Sequence, residues 1–449
     1  MVAVTPLRAG VPGVVSARRD RLGRRDVVLC EIDADVRRGA LSADDGASLA
    51  DAARRALQER VPLVVFLASS GADVNDGVAA LHGWGTAARA FVQCSGVVPV
   101  LLAVTGPAVS GPALLLGLAD QVVMTTDAYA FVSGPHMVQA FTGVPVTNVG
   151  LGGAAVHSRA TGVASLLVED DADAWTALEE LVALLPANTD ELPPVFPCDD
   201  PTDRETRSAG GLVPASSTGS YDVRDVIRCV VDDGELLELR ASWAANLVTG
   251  LATVGGHPVG IVANQPSTVA GTLDISASQK GARFVDFCDA FNLPIATFVD
   301  TPGFLPGKDL EWRGMIRHGA QLAFAYARAT VPRVSLTLRK SYGGAYIVMD
   351  SKRMGCDLAL AWPSAQIAVM GAQGAVEILH RRHDDPARRV ELERQYEQRL
   401  LNPYLAAERG LIDAVIEPAE SRSVLASALS TLAAKRQGVS GRSHDNMPM

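Results

Sequence analysis

Two residue pairs, Ser110-Gly111 and Gly343-Gly344, point most directly to chemistry in this chain. Each pair follows an apolar run opened by Val-Pro (Val98-Pro99 in one place, Val331-Pro332 in the other), and each falls at positions 11 and 12 after its proline. A strand that ends in such a turn and runs straight into a helix leaves backbone N–H groups unpaired at the helix start. Glycine allows close approach and unusual φ values there. A ligand oxygen that gains negative charge, such as a thioester enolate oxygen, is stabilised at such a turn, and one donor is typically worth about 3 to 4 kcal/mol of barrier. One turn alone is explained by tight strand–helix packing. Two at matched spacing favour a pair of sites.

The elements that must position these turns form two diverged copies of one unit, Val98 to Pro135 and Val331 to Ala372. Each copy goes on to an aspartate, Asp120 or Asp357, and 14 residues later to a glycine, Gly134 or Gly371, that closes a second apolar strand. Such a duplication implies two related half-sites in one chain. Residues from about 25 to 165 alternate strand-like runs (Val27 to Ile32, Pro62 to Leu67, Val98 to Val104, Gln121 to Met124) with helical segments such as Leu49 to Leu57, the α/β signature. Residues 186 to 220, rich in Pro, Ser and Gly, read as a linker across the surface. A second α/β block has strands near Pro258 to Ala263, Ile295 to Val299, Val334 to Leu338 and Gln366 to Met370, with helices at Lys280 to Phe291 and Arg313 to Thr330. The expected organisation is an N-terminal domain over 1–185, the linker, and a C-terminal domain over 221–449. The charged segment Pro386 to Gln398 reads as a solvated helix.

Composition narrows the class. With 449 residues, 48% hydrophobic and 20% charged, the chain can build two domains with good cores. A net charge of −10 argues against nucleic acid as the main partner. The basic pairs Arg18-Arg19 and Arg381-Arg382 remain compatible with one anionic small molecule. The six cysteines are scattered, with no C-x-x-C pair and no histidine at ligand spacing, so no metal site and no disulfide framework is expected. Met1 to Arg8 lacks the pattern of a signal peptide and no apolar stretch reaches membrane-spanning length, so a cytoplasmic protein without a membrane partner is expected.

The segment Gly106 to Asp120 resembles the glycine-rich turn and helix of the crotonase superfamily, and Ser70-Gly71-Ala72-Asp73 resembles the loop that supplies its other oxyanion donor. In the second half, Phe298 to Gly307, Arg339 to Met349, Trp362 through Leu379 and Gly410 to Pro418 resemble carboxyltransferase subunits of biotin-dependent acetyl-CoA and propionyl-CoA carboxylases. The likeness runs from about residue 40 to near the end, with specific motifs in the C-half and degraded ones in the N-half. It implies an α/β protein with a duplicated crotonase-like fold of two ββα-superhelix domains. It further implies transfer of a carboxyl group from carboxybiotin to the α-carbon of a short acyl-CoA, acetyl-CoA or propionyl-CoA, giving malonyl-CoA or methylmalonyl-CoA.

In that family the N-half binds acyl-CoA and the C-half binds carboxybiotin, usually across different subunits of a hexamer. Backbone amides hold the thioester oxygen and polarise the biotin ureido oxygen, and biotin itself takes the α-proton. By this likeness Ala72 and Gly111 serve the thioester oxygen, with Gly71, Ser110 and Gly134 beside the acyl-CoA, while Gly343, Gly344, Gly371 and Ala372 serve biotin. Gly374 lies toward the acyl-tail pocket. Neither a biotin-attachment Met-Lys-Met nor an ATP-binding glycine-rich loop is present, so a separate biotinylated subunit is the expected partner.

Departures from the family pattern matter as much. Roughly the first turn-and-strand region of a typical member is lacking, which puts CoA affinity in question. Leu114 stands three residues after Gly111, where hydratases of the superfamily carry a glutamate, so hydration is not expected. Asp73 replaces a family arginine; within about 4 Å of a bound anion it would repel by roughly 4 kcal/mol at an effective dielectric of about 20. Its reversal to arginine is expected to shift acyl-CoA preference, unless the side chain faces outward. Ser110 replaces a glycine and is expected to adopt a left-handed conformation at a cost of about 1 to 2 kcal/mol. His136 replaces an aspartate and reads first as a packed or hydrogen-bonded residue, second as a new acid or base; His157 reads as structural or near the CoA site. Two alternatives stand beside the main reading: a relative that carboxylates or decarboxylates an unusual acyl thioester, and a catalytically silent partner in a mixed carboxylase assembly.

Overall fold

The computed structural model describes residues 13–381 and 385–435, together with Pro448. Met1 to Arg8 and Arg382, considered above, lie outside the described residues. The chain divides into two compact units, one of residues 1–194 with 240–243 and 290–292, the other of residues 195–239, 244–289 and 293–449.

Among the described residues the first unit holds a seven-stranded sheet. Its strands are β1 (Val15–Leu22), β2 (Arg25–Ile32), β3 (Leu63–Ser69), β4 (Val100–Val109), β5 (Gln121–Thr125), β6 (Tyr129–Phe131) and β7 (Leu166–Val168). They run in the order β1-β2-β3-β4-β5-β7, with β6 on the end of β4. Only the β1–β2 hairpin is antiparallel; the rest pair in parallel. Parallel strands buried on both faces read as continuous apolar runs, and Leu63 through Val65 and Val100 through Val104 are such runs.

The second unit repeats this plan in an eight-stranded sheet. Its strands are β8 (Leu237–Leu239), β9 (Leu247–Val254), β10 (His257–Asn264), β11 (Ile295–Thr301), β12 (Arg333–Tyr342), β13 (Leu358–Ala361), β14 (Gln366–Ala368) and β15 (Ala414–Val415), in the order β15-β13-β12-β11-β10-β9-β8 with β14 on β12. The duplication reaches individual hydrogen bonds. Leu63 N–H donates to Pro99 O at 2.9 Å and Ile295 N–H to Pro332 O at 2.9 Å. The repeated aspartates each accept from the first residue of the neighbouring strand, Val100 N–H to Asp120 and Arg333 N–H to Asp357, both at 2.8 Å. The conserved spacing of Val-Pro and Asp within the chain therefore marks the edges of one strand pairing used twice.

Helices flank both sheets. Ala43–Glu59 is started by a Ser42–Asp45 capping box, which satisfies two otherwise orphaned amides. It packs on Val78–Cys94, where Gly46 and Gly83 let the two backbones touch. In the second unit Ile275–Ala290 and Met315–Arg328 start earlier than or end short of the expected segments, and Pro386–Leu400 has no buried residue. Residues 195–220 pack within the second unit, where Thr206 and Ala209 are buried.

Two elements differ from expectation. The glycine-rich stretch from Gly106 is strand as far as Val109, because β6 supplies partners for Pro107, Ala108 and Val109. Gly134 and Gly371 do not close strands; each caps the following helix, Pro135–Thr142 or Ala372–Leu379.

Candidate functional site

The end of β4 and the end of β12 are built alike. Ser110 (φ 62°, ψ −130°) turns the first chain into the helix Gly111–Leu118, and Gly343 (φ 61°) turns the second into Gly343–Val348. Ser110 thus has the positive φ expected of it, with a ψ outside the left-handed helical well, in a region that favours glycine.

A second donor faces each turn. Ala72 and Leu41 form an isolated parallel bridge, and so do Phe304 and Leu273. The bridges are closed by the neighbours of Ala72 and Phe304: Leu41 N–H to Gly71 O (2.8 Å) and Asp73 N–H to Leu41 O (2.8 Å) in one, Leu273 N–H to Gly303 O (3.1 Å) and Leu305 N–H to Leu273 O (2.8 Å) in the other. The amides of Ala72 and Phe304 point to the opposite side. Gly71 holds the first loop close to the turn, since a Cβ there would lie 3.3 Å from Val109 O and 3.6 Å from the Ser110 Cβ. A Cβ on Gly344 would lie 3.6 Å from Phe304 Cε2. Each unit therefore sets a bridged loop, Gly71-Ala72 or Gly303-Phe304, against its turn, Ser110-Gly111 or Gly343-Gly344.

Phe304 was not among the residues picked from sequence. The signal was present, since Ser70-Gly71-Ala72 and Pro302-Gly303-Phe304 occupy the same place in the two copies. Both triplets lie upstream of the Val-Pro dipeptides that open the two copies.

The two half-sites differ in room. Beside Gly344 lies an apolar cavity of about 490 Å³, lined by Phe304, Met315, Ile316, Ala320 and Ile347 among others. Gly344 itself is exposed, whereas Gly111 is buried against the Trp84 indole. Gly371 and Ala372 cap the next helix, with Gly371 against the Tyr342 ring. Gly134 holds the matching place in the first unit, and Gly374 follows within the first turn of Ala372–Leu379.

Charge around the sites is organised in buried clusters. Asp73 is neither outward-facing nor unpaired: it is buried and accepts from Arg37 Nη1 at 2.9 Å, while Arg37 Nη2 reaches the buried Asp45 at 2.7 Å. Asp73 also accepts from Asn75 N–H and so starts the turn Val74–Asp76. Beneath the second half-site the fully buried Asp300 accepts from Tyr221 Oη (2.9 Å), Arg339 Nε (3.0 Å) and Lys340 N–H (3.1 Å). Arg339 and Lys340 in turn donate to the carbonyls of Ser216 (2.7 Å) and Ser217 (3.1 Å). Burial pushes the Tyr221 hydroxyl up and the Lys340 ammonium down. This network lies immediately before the Gly343-Gly344 turn in sequence and fixes the end of β12.

His136 is exposed at the second position of its helix, so it is not a packed residue. His157 is structural: Nε2 lies 2.8 Å from Ala130 O and Nδ1 2.8 Å from Thr161 Oγ1, tying its helical segment to β6. Leu114 is exposed and offers no proton. Among the described residues no group of three or more His, Cys, Asp or Glu could hold a metal, and no helix is long and apolar enough to cross a membrane.

Matching strand–turn–helix units in two related sheets define a duplicated crotonase-like fold. The chain belongs to the carboxyl transferase domain family, whose model matches residues 9–447. That match starts well before residue 40 and takes in the β1–β2 hairpin. Over 97% of its length the chain is 43% identical to the propionyl-CoA carboxylase beta chain of Saccharopolyspora erythraea, covering 83% of that protein. It is 42% identical to the methylmalonyl-CoA carboxyltransferase 12S subunit of Propionibacterium freudenreichii subsp. shermanii, over 98% of this chain and 85% of that one. A transcarboxylase 12S crystal structure with hydrolysed methylmalonyl-coenzyme A bound superposes with a TM-score of 0.95 at 40% identity, covering 100% of this chain and 88% of the other.

Proposed function

We propose that this chain is the carboxyltransferase subunit of a biotin-dependent acyl-CoA carboxylase, carrying the carboxyl group from carboxybiotin to the α-carbon of propionyl-CoA and giving methylmalonyl-CoA. The observation that carries the reading is the repetition of the strand–turn–helix unit and its bridged loop in both sheets, an arrangement that suits two substrates whose oxygens both gain charge. The preference for propionyl-CoA over acetyl-CoA follows the relatives, which are named for propionyl-CoA and methylmalonyl-CoA.

In this mechanism Ala72 N–H and Gly111 N–H hold the thioester oxygen while the α-carbon loses its proton, so the enolate charge builds against fixed dipoles. Phe304 N–H and Gly344 N–H hold the ureido oxygen of the biotin, and Gly371 and Ala372 line the same side. The apolar cavity beside Gly344 fits the hydrocarbon part of such a group. Carboxybiotin, when bound, supplies carbon dioxide and the base that takes the α-proton. No side chain of this chain is then required as acid or base, in keeping with Leu114 at the hydratase position.

The carboxybiotin arrives on a separate biotinylated subunit. A homo-hexamer is proposed as the working form, by likeness to the transcarboxylase 12S structure, which is described as a hexamer assembly. Exposed apolar residues support burial against further copies: Met137 and Phe141 near the first half-site, Trp312, Ile316 and Val369 near the second. The six free thiols support a reducing, cytoplasmic setting.

The test is fixation of labelled bicarbonate by the full chain with a biotinylated biotin carboxylase, ATP and propionyl-CoA. Labelled methylmalonyl-CoA is expected. No labelled product, with an active biotinylated subunit and a folded chain, contradicts the proposal.

A further inference from the structure

The duplication provides an internal control on the size of each half-site. In both copies the loop that supplies the first amide runs on to a helix, Val78–Cys94 after Ala72 and Met315–Arg328 after Phe304. In the second copy that helix lines a cavity of about 490 Å³ beside Gly344 with the small residues Gly319, Ala320 and Ala323 as well as Met315 and Ile316, and the space between them stays open. In the first copy the same helix carries Trp84. A Cβ built on Gly111 would lie 2.5 Å from Trp84 Nε1 and 2.6 Å from Cε2, so the indole rests directly on the Gly111 backbone. The exposure of the two glycines follows: Gly344 is open and Gly111 is covered.

We infer that Trp84 is the residue that sets the acyl-chain length accepted at the first half-site, by filling with its indole the volume that the second half-site leaves open. This inference rests on the assignment of the acyl group to Ala72 and Gly111 made above. A ring fixed beside the amide that holds the thioester oxygen bounds the space for carbons beyond the α-position. Each methylene admitted or refused by an apolar pocket changes kcat/KM by about 10- to 200-fold, so one tryptophan suffices to separate short from medium chains. Trp84 acts here by volume, not by proton transfer, and its removal should change the order of substrates more than the rate with the best one.

The test compares propionyl-CoA with hexanoyl-CoA on the full chain with its biotinylated partner subunit, for the unaltered protein and for Trp84→Ala, Trp84→Leu and Trp84→Phe. Trp84→Ala is expected to raise the hexanoyl-to-propionyl ratio of kcat/KM by at least about tenfold, and Trp84→Leu by less, while Trp84→Phe keeps the ratio within about threefold. If Trp84→Ala does not fold, the leucine variant carries the comparison. Equal loss with both thioesters at an unchanged ratio overturns the inference and leaves Trp84 a packing residue. Calorimetric titration with the same two thioesters separates this failure from that of the proposed function. If no variant transfers a carboxyl group but Trp84→Ala still raises the hexanoyl-to-propionyl ratio of affinities, the size role stands and the carboxyltransferase reading falls. Ratios of affinity and of kcat/KM that both stay unchanged remove the size role.

Discussion

Ser110 and Asp73 both stand in loops of the first half-site, and their surroundings give opposite outcomes. Ser110 holds φ 62° and ψ −130° at a position where the second copy has Gly343. A side chain in such a region costs about 1 to 3 kcal/mol. Ser110→Gly is therefore expected to stabilise the chain by about 1 to 2 kcal/mol in chemical denaturation, and no gain would show that the serine is unstrained. Asp73 is bound to Arg37, which also serves Asp45, so its charge is balanced within the first unit. Asp73→Asn is expected to cost roughly 1 to 3 kcal/mol of stability, the worth of hydrogen bonds to a charged group, and to leave the propionyl-CoA to acetyl-CoA ratio unmoved. A shifted ratio at unchanged stability would return Asp73 to the substrate site.

The strand–turn–helix unit is the element to which the chemistry is assigned, and the glycine that follows its turn residue, Gly111 or Gly344, is constrained differently in the two copies. At Gly344 an added methyl meets only Phe304, at ordinary contact distance; at Gly111 it collides with the Trp84 ring. Gly344→Ala is expected to fold with a melting temperature close to the parent, whereas Gly111→Ala must displace the indole and should lose about 1 to 3 kcal/mol, the usual range for overpacking. Equal melting temperatures would mean that Trp84 swings away freely. Much of this unit was legible in the sequence, because Val-Pro, the paired small residues and the aspartate are tied to strand starts, turns and register. Three features were not. The strand extension to Val109 depends on β6, a three-residue partner too short to show a period. The Arg37–Asp73 pair joins residues 36 apart in sequence through a fold-dependent contact. Phe304 contributes a backbone amide, which no residue type announces.

The whole molecule is two copies of one sheet, each presenting a pair of donors, and its stability depends on buried charge in the second unit. Arg204 donates to Asp200 at 2.6 Å and holds that carboxyl below its usual range, with the Asp233 amide and Arg422 adding to the effect. Burial raises the Asp232 carboxyl, but the amides of Gly256 and Gly255 and the fully buried Arg422 outweigh it and hold it low. Both folded-state values lie below the unfolded ones, so their stabilisation is complete above pH about 4 and is lost as pH falls further, through the folded values. Denaturation midpoints are expected to drop on that acid side, and Arg422→Leu to cost about 3 to 5 kcal/mol at neutral pH by stranding Asp232. A flat acid limb would show that the cluster does not couple to folding. In the proposed mechanism the two half-sites serve two substrates separately. This separation is tested most directly by calorimetric titration of propionyl-CoA into Gly344→Val, a change that keeps the backbone N–H but sets a branched side chain over the second oxygen site and is expected to abolish carboxyl transfer. Independent sites predict an affinity within about threefold of the parent; loss of propionyl-CoA binding in step with transfer would contradict the two-site account.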